Sequence, residues 1–199
     1  MALLDPKPML AGVRVVDLTS VVFGPYATQI LADFGADVVK VEAPSGDIFR
    51  YSTRPAKTRA MSAGHLALNR GKRSVVLDLK DEQDVAKMRE LISEADVFIH
   101  NVRKSAIERL GFGYEDVRQL NDELIYVHCV GFGSGGVYQD LQASGDVIQA
   151  ATGTTSLLGR VDGDPRPRLF PSLIADKVAG LNAAYATLAA FSLAGKAVE

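Results

Sequence analysis

Tryptophan is absent from this 199-residue chain, and cysteine occurs once, at Cys129. A lone thiol closes no internal disulfide and completes no Cys-based metal motif, so a disulfide scaffold and a zinc finger are both excluded and a reducing compartment is implied. Charge of one sign is missing as well. The formal net charge of -2 gives no general attraction for nucleic acid, so a phosphate ligand would have to be met by a local cluster of Lys and Arg. The start of the chain carries Asp5, Pro6 and Pro8 rather than a basic segment followed by an apolar one, so no secretory signal is read there and the expected location is the cytoplasm. Only 178–195 forms a long apolar run. It is rich in alanine and broken by Asn182, Thr187 and Ser192, which suits a buried helix rather than a membrane span. No G-x-S-x-G elbow, P-loop or H-E-x-x-H motif is present, which removes the common hydrolase, NTPase and zinc-peptidase readings. His65, His100 and His128 lack the spacing of metal ligands, and no metal is expected.

What is present is the make-up of an ordinary folded domain, 47% hydrophobic and 23% charged, enough to bury one substantial core. From Val13 to about Gly133, short β-branched runs alternate with amphipathic stretches. That alternation predicts an α/β fold, a Rossmann-like parallel sheet flanked by helices. Strands are expected at Val13–Leu18, Asp37–Val41, Ser74–Leu79, Asp96–Val102 and Leu124–Val130. Helices are expected from Gly24-Pro25, with Pro at the first helical position, through Phe34, and at Asp81–Glu94, Lys104–Leu110 and Tyr114–Leu120, then near Asp146–Thr152 and from Ser172. The segment Ala43–Lys72, with Pro44 and Pro55, reads as a long loop, a kind of segment more often functional than merely connecting. With no repeat and no shift in composition, residues 1–199 read as one domain.

Three features invite a chemical reading. Gly131–Gly136 matches the dinucleotide fingerprint G-x-G-x-x-G, but the residues that follow have little helical periodicity, and the motif needs a helix to begin inside it. A nicotinamide-dependent dehydrogenase is therefore a remote alternative. Arg70, Lys72 and Arg73 precede the third strand and Arg103, Lys104 and Arg109 follow the fourth, and both groups are expected on one sheet edge, where clustered cations suit a phosphorylated ligand. Asp176, in Leu173–Gly180 (LIADKVAG), opens a nearly chargeless helix. Taken alone, an acidic residue in a first turn is explained by the helix dipole.

Together the motifs identify a resemblance. Val15–Thr19 (VVDLT) with Gly24-Pro25, Leu31–Glu42 (LADFGADVVKVE), Asn69–Lys80 (NRGKRSVVLDLK), Ala95–Asn101 (ADVFIHN), Arg109–Gly113 (RLGFG), Gly131–Gly133 and Asp146–Gly153 (DVIQAATG) follow one another as in the class III CoA-transferases. That is the family of formyl-CoA transferase, carnitine CoA-transferase and α-methylacyl-CoA racemase, and the likeness runs from about Leu10 to Lys196. It implies a CoA-binding large domain of Rossmann-like fold, with coenzyme A or acyl-CoA as substrate, no permanently bound cofactor, a carboxylic acid as acceptor, and an interlocked homodimer. It places the CoA nucleotide against Leu77, Asp78, Leu79, Lys80, Asn101, Val102 and Arg103, with Arg109 on a phosphate. Val21, Val22 and Phe23, at the first strand-to-helix turn, would stand near the pantetheine or thioester, Leu141, Gln142, Ala143 and Ser144 would complete the pocket, and Asp176 would be the nucleophile. The implied reaction runs through an aspartyl anhydride and an enzyme thioester.

The chain also departs from the family pattern. Ser144-Gly145 stands where Tyr-Asp or His-Asp is usual, and Ser144 cannot replace a racemase His as acid or base, so transfer is favoured over racemisation. Ala43 stands at a position that is often Arg. The family's second, smaller domain and its glycine-rich loop have no counterpart here. A non-catalytic acyl-CoA-binding fragment and a racemase-like protein therefore remain as alternatives.

Overall fold

The structure is a computed structural model that describes residues 8–52 and 57–194. Five parallel strands form its sheet: β1 (Arg14–Leu18), β2 (Asp37–Glu42), β3 (Arg73–Val76), β4 (Val97–His100) and β5 (Ile125–His128), in the order β3-β2-β1-β4-β5. Between them run α1 (Phe23–Asp33), a 3-10 turn at Ile48–Arg50, α2 (Ala63–Asn69), α3 (Glu82–Ser93), α4 (Lys104–Arg109) and α5 (Tyr114–Leu120). After the sheet come α6 (Gly145–Ala151), a 3-10 turn at Thr154–Ser156, α7 (Leu157–Asp162) and α8 (Ile174–Leu193).

Successive residues of a strand face opposite sides, and the core divides accordingly. Val15, Val38, Val97 and Ile99 pack with Ala27 and Leu31 of α1, Ala184 and Phe191 of α8, and Cys129. Val16, Val41 and Phe98 pack on the other face with Met88 and Ile92 of α3, Ile107 of α4 and Val117 of α5. Both faces are covered, which is why the strands read as continuous apolar runs. Cys129 is a packing residue whose thiol burial pushes up to about 12. Among the described residues, no helix is long and apolar enough to cross a membrane.

The chain divides into two compact units, residues 1–129 with 180–199, and residues 130–179. The first holds the sheet. In the second, among the described residues, the only buried side chain is Gln149, whose Oε1 accepts the Phe170 N–H at 2.7 Å.

Several sequence expectations need correction. Three strands end earlier than the β-branched runs suggested, β3 at Val76, β4 at His100 and β5 at His128, whereas β2 runs on to Glu42. Past Val76, Asp78 accepts the Lys80 N–H, and Asp81 accepts the Gln83 and Asp84 N–H groups as the cap of α3. Pro25 lies at the third position of α1 rather than the first. The segment Ala43–Lys72 is not all loop, since it contains a 3-10 turn and α2, whose cap Ser62 accepts the His65 N–H at 3.1 Å; its residues 53–56 lie outside the described residues. No helix begins in Gly131–Gly136, so the dinucleotide fingerprint is incomplete.

Candidate functional site

The strand order reverses at β1, where β2 and β3 lie to one side and β4 and β5 to the other. In open α/β sheets, ligands bind in the crevice beyond the carboxyl ends of the strands at this switch point. The last register pair across it is Leu18↔His100. The chain beyond Leu18 turns through Thr19–Val22 into α1, and the chain beyond His100 runs through Asn101–Arg103 into α4.

These two connections are tied together. The Asn101 amide accepts the Ser20 N–H at 3.0 Å and donates to the Ser20 carbonyl at 2.8 Å. Asn101 is therefore a clamp on the β1–α1 turn, and its side-chain polar atoms are engaged there. On the other side of the turn, Asp47 accepts the Val21 N–H on both carboxylate oxygens, at 3.1 and 3.2 Å. Gly24 is fixed by space, since a Cβ there would lie 2.3 Å from Thr19 Cγ2.

Beneath the turn lies a buried network of charges. Asp17, in the middle of β1, accepts the Thr19 N–H and hydroxyl at 2.9 and 2.5 Å and the Thr28 hydroxyl at 2.6 Å. Lys72 Nζ donates to Asp17 at 3.0 Å, to Thr28 Oγ1 at 2.8 Å, to Asn69 at 2.9 Å and to the Pro25 carbonyl at 3.0 Å. Burial alone would raise the Asp17 pKa, but the Lys72 and Lys40 ammonium groups and the two hydroxyls outweigh it and hold the carboxyl at about 2. Burial lowers the Lys72 pKa, against the pull of Asp17. Lys40 donates to the Thr19 carbonyl at 2.8 Å and pairs with Asp47 at 3.2 Å. Glu42 accepts the Asp47 N–H and takes a two-pronged contact from Arg50, at 2.7 and 2.6 Å. Its burial is outweighed by that guanidinium and by the backbone hydrogen bond, so its carboxyl also sits at about 2.

The remaining expected residues divide by what their side chains do. In the sheet unit, Val22 and Leu77 are buried and Phe23, Leu79 and Val102 are partly buried, packing against the core with all but Val22 in its two clusters. Asp78 is occupied by the loop into α3. Lys80, Arg103, Lys104 and Arg109 are exposed, with Lys80 after β3 and the other three after β4. The cations before β3 are placed differently: Arg70 pairs with Asp33, Arg73 with Asp37 at the start of β2, and Lys72 is buried on Asp17. They enter β3 at its amino end, whereas Arg103 follows the carboxyl end of β4, so the two groups do not share an edge as expected. His100, in β4, is packed between Phe98 and His128. Burial, then the neighbouring imidazole of His128, hold its pKa down at about 3.

In the second unit, Leu141, Gln142 and Ser144 are exposed. Ser144 caps α6 by accepting the Val147 N–H at 3.4 Å, and Ala143 lies where a Cβ on Gly131 would meet it at 1.9 Å. Asp176 stands in the first turn of α8, half-buried, and that desolvation raises its pKa. A Cβ at Gly145 would lie 3.3 Å from Asp176 Oδ2, so glycine at the start of α6 leaves the carboxylate uncrowded. Sequence reasoning missed Asp17, Lys40, Glu42 and Asp47. The signal for the first three was charge inside two apolar runs, VVDL and VVKVE, whereas Asp47 lies outside both; Asp17 and Lys40 prove to be register partners across β1 and β2.

The model of CoA-transferase family III matches residues 10–197. Succinate–glutarate CoA-transferase of Agrobacterium fabrum is 42% identical over 165 residues, which cover 80% of this chain and 41% of that protein. Formyl-CoA:oxalate CoA-transferase of Streptomyces avermitilis is 40% identical over 181 residues, 91% of this chain and 43% of that one. The crystal structure of a CaiB/BaiF family protein from Brucella suis superposes with a TM-score of 0.89 at 34% identity, covering 94% of this chain and 50% of that chain. The chain thus spans about half or less of the length of each of these three relatives.

Proposed function

The chain belongs to CoA-transferase family III, and on that premise we propose that it acts in moving CoA from an acyl-CoA to a carboxylic acid, with Asp176 as the carboxylate that becomes acylated. The observation that carries the reading is the state of Asp176. It is half-buried, its pKa is raised by desolvation, and a glycine rather than a side chain faces its oxygen. A carboxylate poor in water is a stronger base and a less screened nucleophile than one in solution.

In the proposed sequence, an Asp176 oxygen attacks the thioester carbonyl carbon and the C–S bond breaks, giving a mixed anhydride and CoA thiolate. The thiolate attacks the aspartyl carbonyl, expels the donor acid as its carboxylate, and leaves an enzyme thioester. The acceptor carboxylate then attacks that thioester and frees the thiolate again. The thiolate takes the acceptor's acyl carbon, which releases the new acyl-CoA and restores Asp176. No proton has to move in these steps. Lys80, Arg103 and Arg109 supply positive charge for the CoA phosphates, and the backbone of Leu77–Leu79 and Val102 frames the nucleotide. Val22 and Phe23 border the thioester end, and Leu141, Gln142, Ala143 and Ser144 are the residues proposed for ligand contact in the second unit. The family's homodimer is the assembly proposed for the complete enzyme, in the cytoplasm.

The test is to incubate the chain with acyl-CoA and hydroxylamine and to map any aspartyl hydroxamate by mass spectrometry. Adduct on Asp176, lost in Asp176→Asn, is the expected result. CoA binding without adduct would turn the reading into that of a binding module.

A further inference from the structure

Val21 holds a conformation that its side chain disfavours. Its φ is 71°, in the left-handed region, and Ala60 is the only other non-glycine residue there among the described residues. For a β-branched residue this is a strained state, one that persists only where the surroundings enforce it, and such strain gathers at functional positions. The enforcing group is identifiable. Asp47 receives the Val21 N–H on both oxygens and also the Phe49 N–H at 2.9 Å. Its side chain is buried, and Lys40 pairs with it at 3.2 Å while donating to the Thr19 carbonyl two residues before Val21. One end of the strained peptide is thus held by the acid and the preceding turn by the base, with Asn101 fixing Ser20 between them. Burying a charge pair is expensive, and here its hydrogen bonds converge on a single turn at the switch point of the sheet.

We propose that Asp47, anchored by Lys40, is a positioning residue that locks Val21 in the left-handed conformation and so sets the β1–α1 turn against the acyl-thioester end of a bound CoA ester. The proposal rests on the functional reading above. Asp47 itself touches no reacting atom; it acts through the backbone of Val21.

The test uses the 199-residue chain and two ligands, acetyl-CoA and adenosine 3′,5′-bisphosphate, the second representing only the nucleotide end of CoA. In Asp47→Asn, calorimetric titration should show acetyl-CoA binding weakened about tenfold and the bisphosphate bound as before. In Val21→Gly, the left-handed conformation needs no enforcement, and acetyl-CoA should bind about threefold more weakly because the turn is looser. The double variant should bind no worse than Val21→Gly alone, since the left-handed turn then no longer needs Asp47 to enforce it. Equal loss of both ligands in Asp47→Asn, or independent losses in the double variant, overturns the proposal. If Asp47→Asn does not fold, Val21→Gly alone decides: a glycine variant that melts below the parent chain contradicts strain at Val21. A parent chain that binds neither ligand removes the functional reading and this proposal together, whereas a chain that binds acetyl-CoA with unaffected variants removes this proposal alone.

Discussion

Replacing Lys72 with methionine tests whether the turn stands on a buried ion pair. Methionine fills much of the same volume, so packing changes little, but the ammonium charge and its four contacts, to Asp17, Pro25, Thr28 and Asn69, disappear. Removing one partner of a buried pair costs about 3–5 kcal/mol, because the other charge stays buried without compensation. For a chain of this size each kcal/mol moves the melting temperature by about 2–4 °C, so a drop of roughly 6–20 °C is expected near neutral pH. The pH dependence gives the sharper check. In the parent chain the Asp17 pKa is depressed to about 2. Its contribution is therefore complete above the unfolded value of about 4 and is lost as the pH falls through the folded value. In Lys72→Met, burial is less opposed, the Asp17 pKa rises, and protonation relieves the buried charge. The stability gap between the two proteins should accordingly be widest near neutrality and narrow below about pH 4. Urea titrations followed by circular dichroism at several pH values measure it. Adding Asp17→Asn to Lys72→Met should recover part of the loss, because neither position of the pair then holds a buried charge. A gap that stays constant from neutrality down to about pH 3 would refute the assignment of an ionised Asp17–Lys72 pair.

The remaining predictions concern the surroundings of that pair. Gly24→Ala forces a Cβ to within 2.3 Å of Thr19 Cγ2, and the resulting shift of α1 should cost about 1–3 kcal/mol, read as an earlier denaturation midpoint; an unchanged midpoint would mean that the turn yields freely. Stability of the parent chain should begin to fall below about pH 6.5, the unfolded value for histidine, because His100 is held neutral with a pKa of about 3, and it should fall further as Glu42 and Asp17 protonate toward about 2. A midpoint independent of pH across that range would count against all three burial assignments. Gly145→Ala brings a methyl group to 3.3 Å from Asp176 Oδ2, and hydroxamate trapping at Asp176 should slow while nucleotide binding is kept; equal trapping would show that the carboxylate does not need the space.

The parts of the fold that can be read from sequence are those where burial imposes a period. α3 shows Val85, Met88 and Ile92 at helical spacing because one face of that helix enters the core, and its cap Asp81 is a recognisable start signal. α7 carries no such mark. It lies in a unit whose only buried side chain, among the described residues, is Gln149, and a segment that buries no apolar side chain writes no apolar period into its sequence. α2 is short and follows a stretch rich in turn residues, so only the Ser62 cap announces it. Asp176 gave a local signal of its own, an acid in an almost chargeless helix, but the dipole accounted for it equally well. What distinguishes it in the structure is desolvation, together with Gly145, far away in sequence, facing its carboxylate.

The cations make the same point about ligand binding. In the sequence, Arg70, Lys72 and Arg73 form as dense a cluster as Arg103, Lys104 and Arg109, and nothing local separates them. Direction along the strand does. The first group enters β3 and is consumed by Asp33, Asp17 and Asp37, so it offers little charge to a ligand. Lys80 and the second group follow the carboxyl ends of β3 and β4, the side on which open α/β sheets receive their ligands. Clustering alone would therefore assign a phosphate contact to both groups, whereas in the parallel topology only the second group and Lys80 lie on the side where the proposed contacts of Lys80, Arg103 and Arg109 would fall. The buried group serves the site indirectly: by charging the floor under Thr19–Val22, Asp17, Lys40, Asp47 and Lys72 fix the backbone that a ligand at the switch point would have to meet.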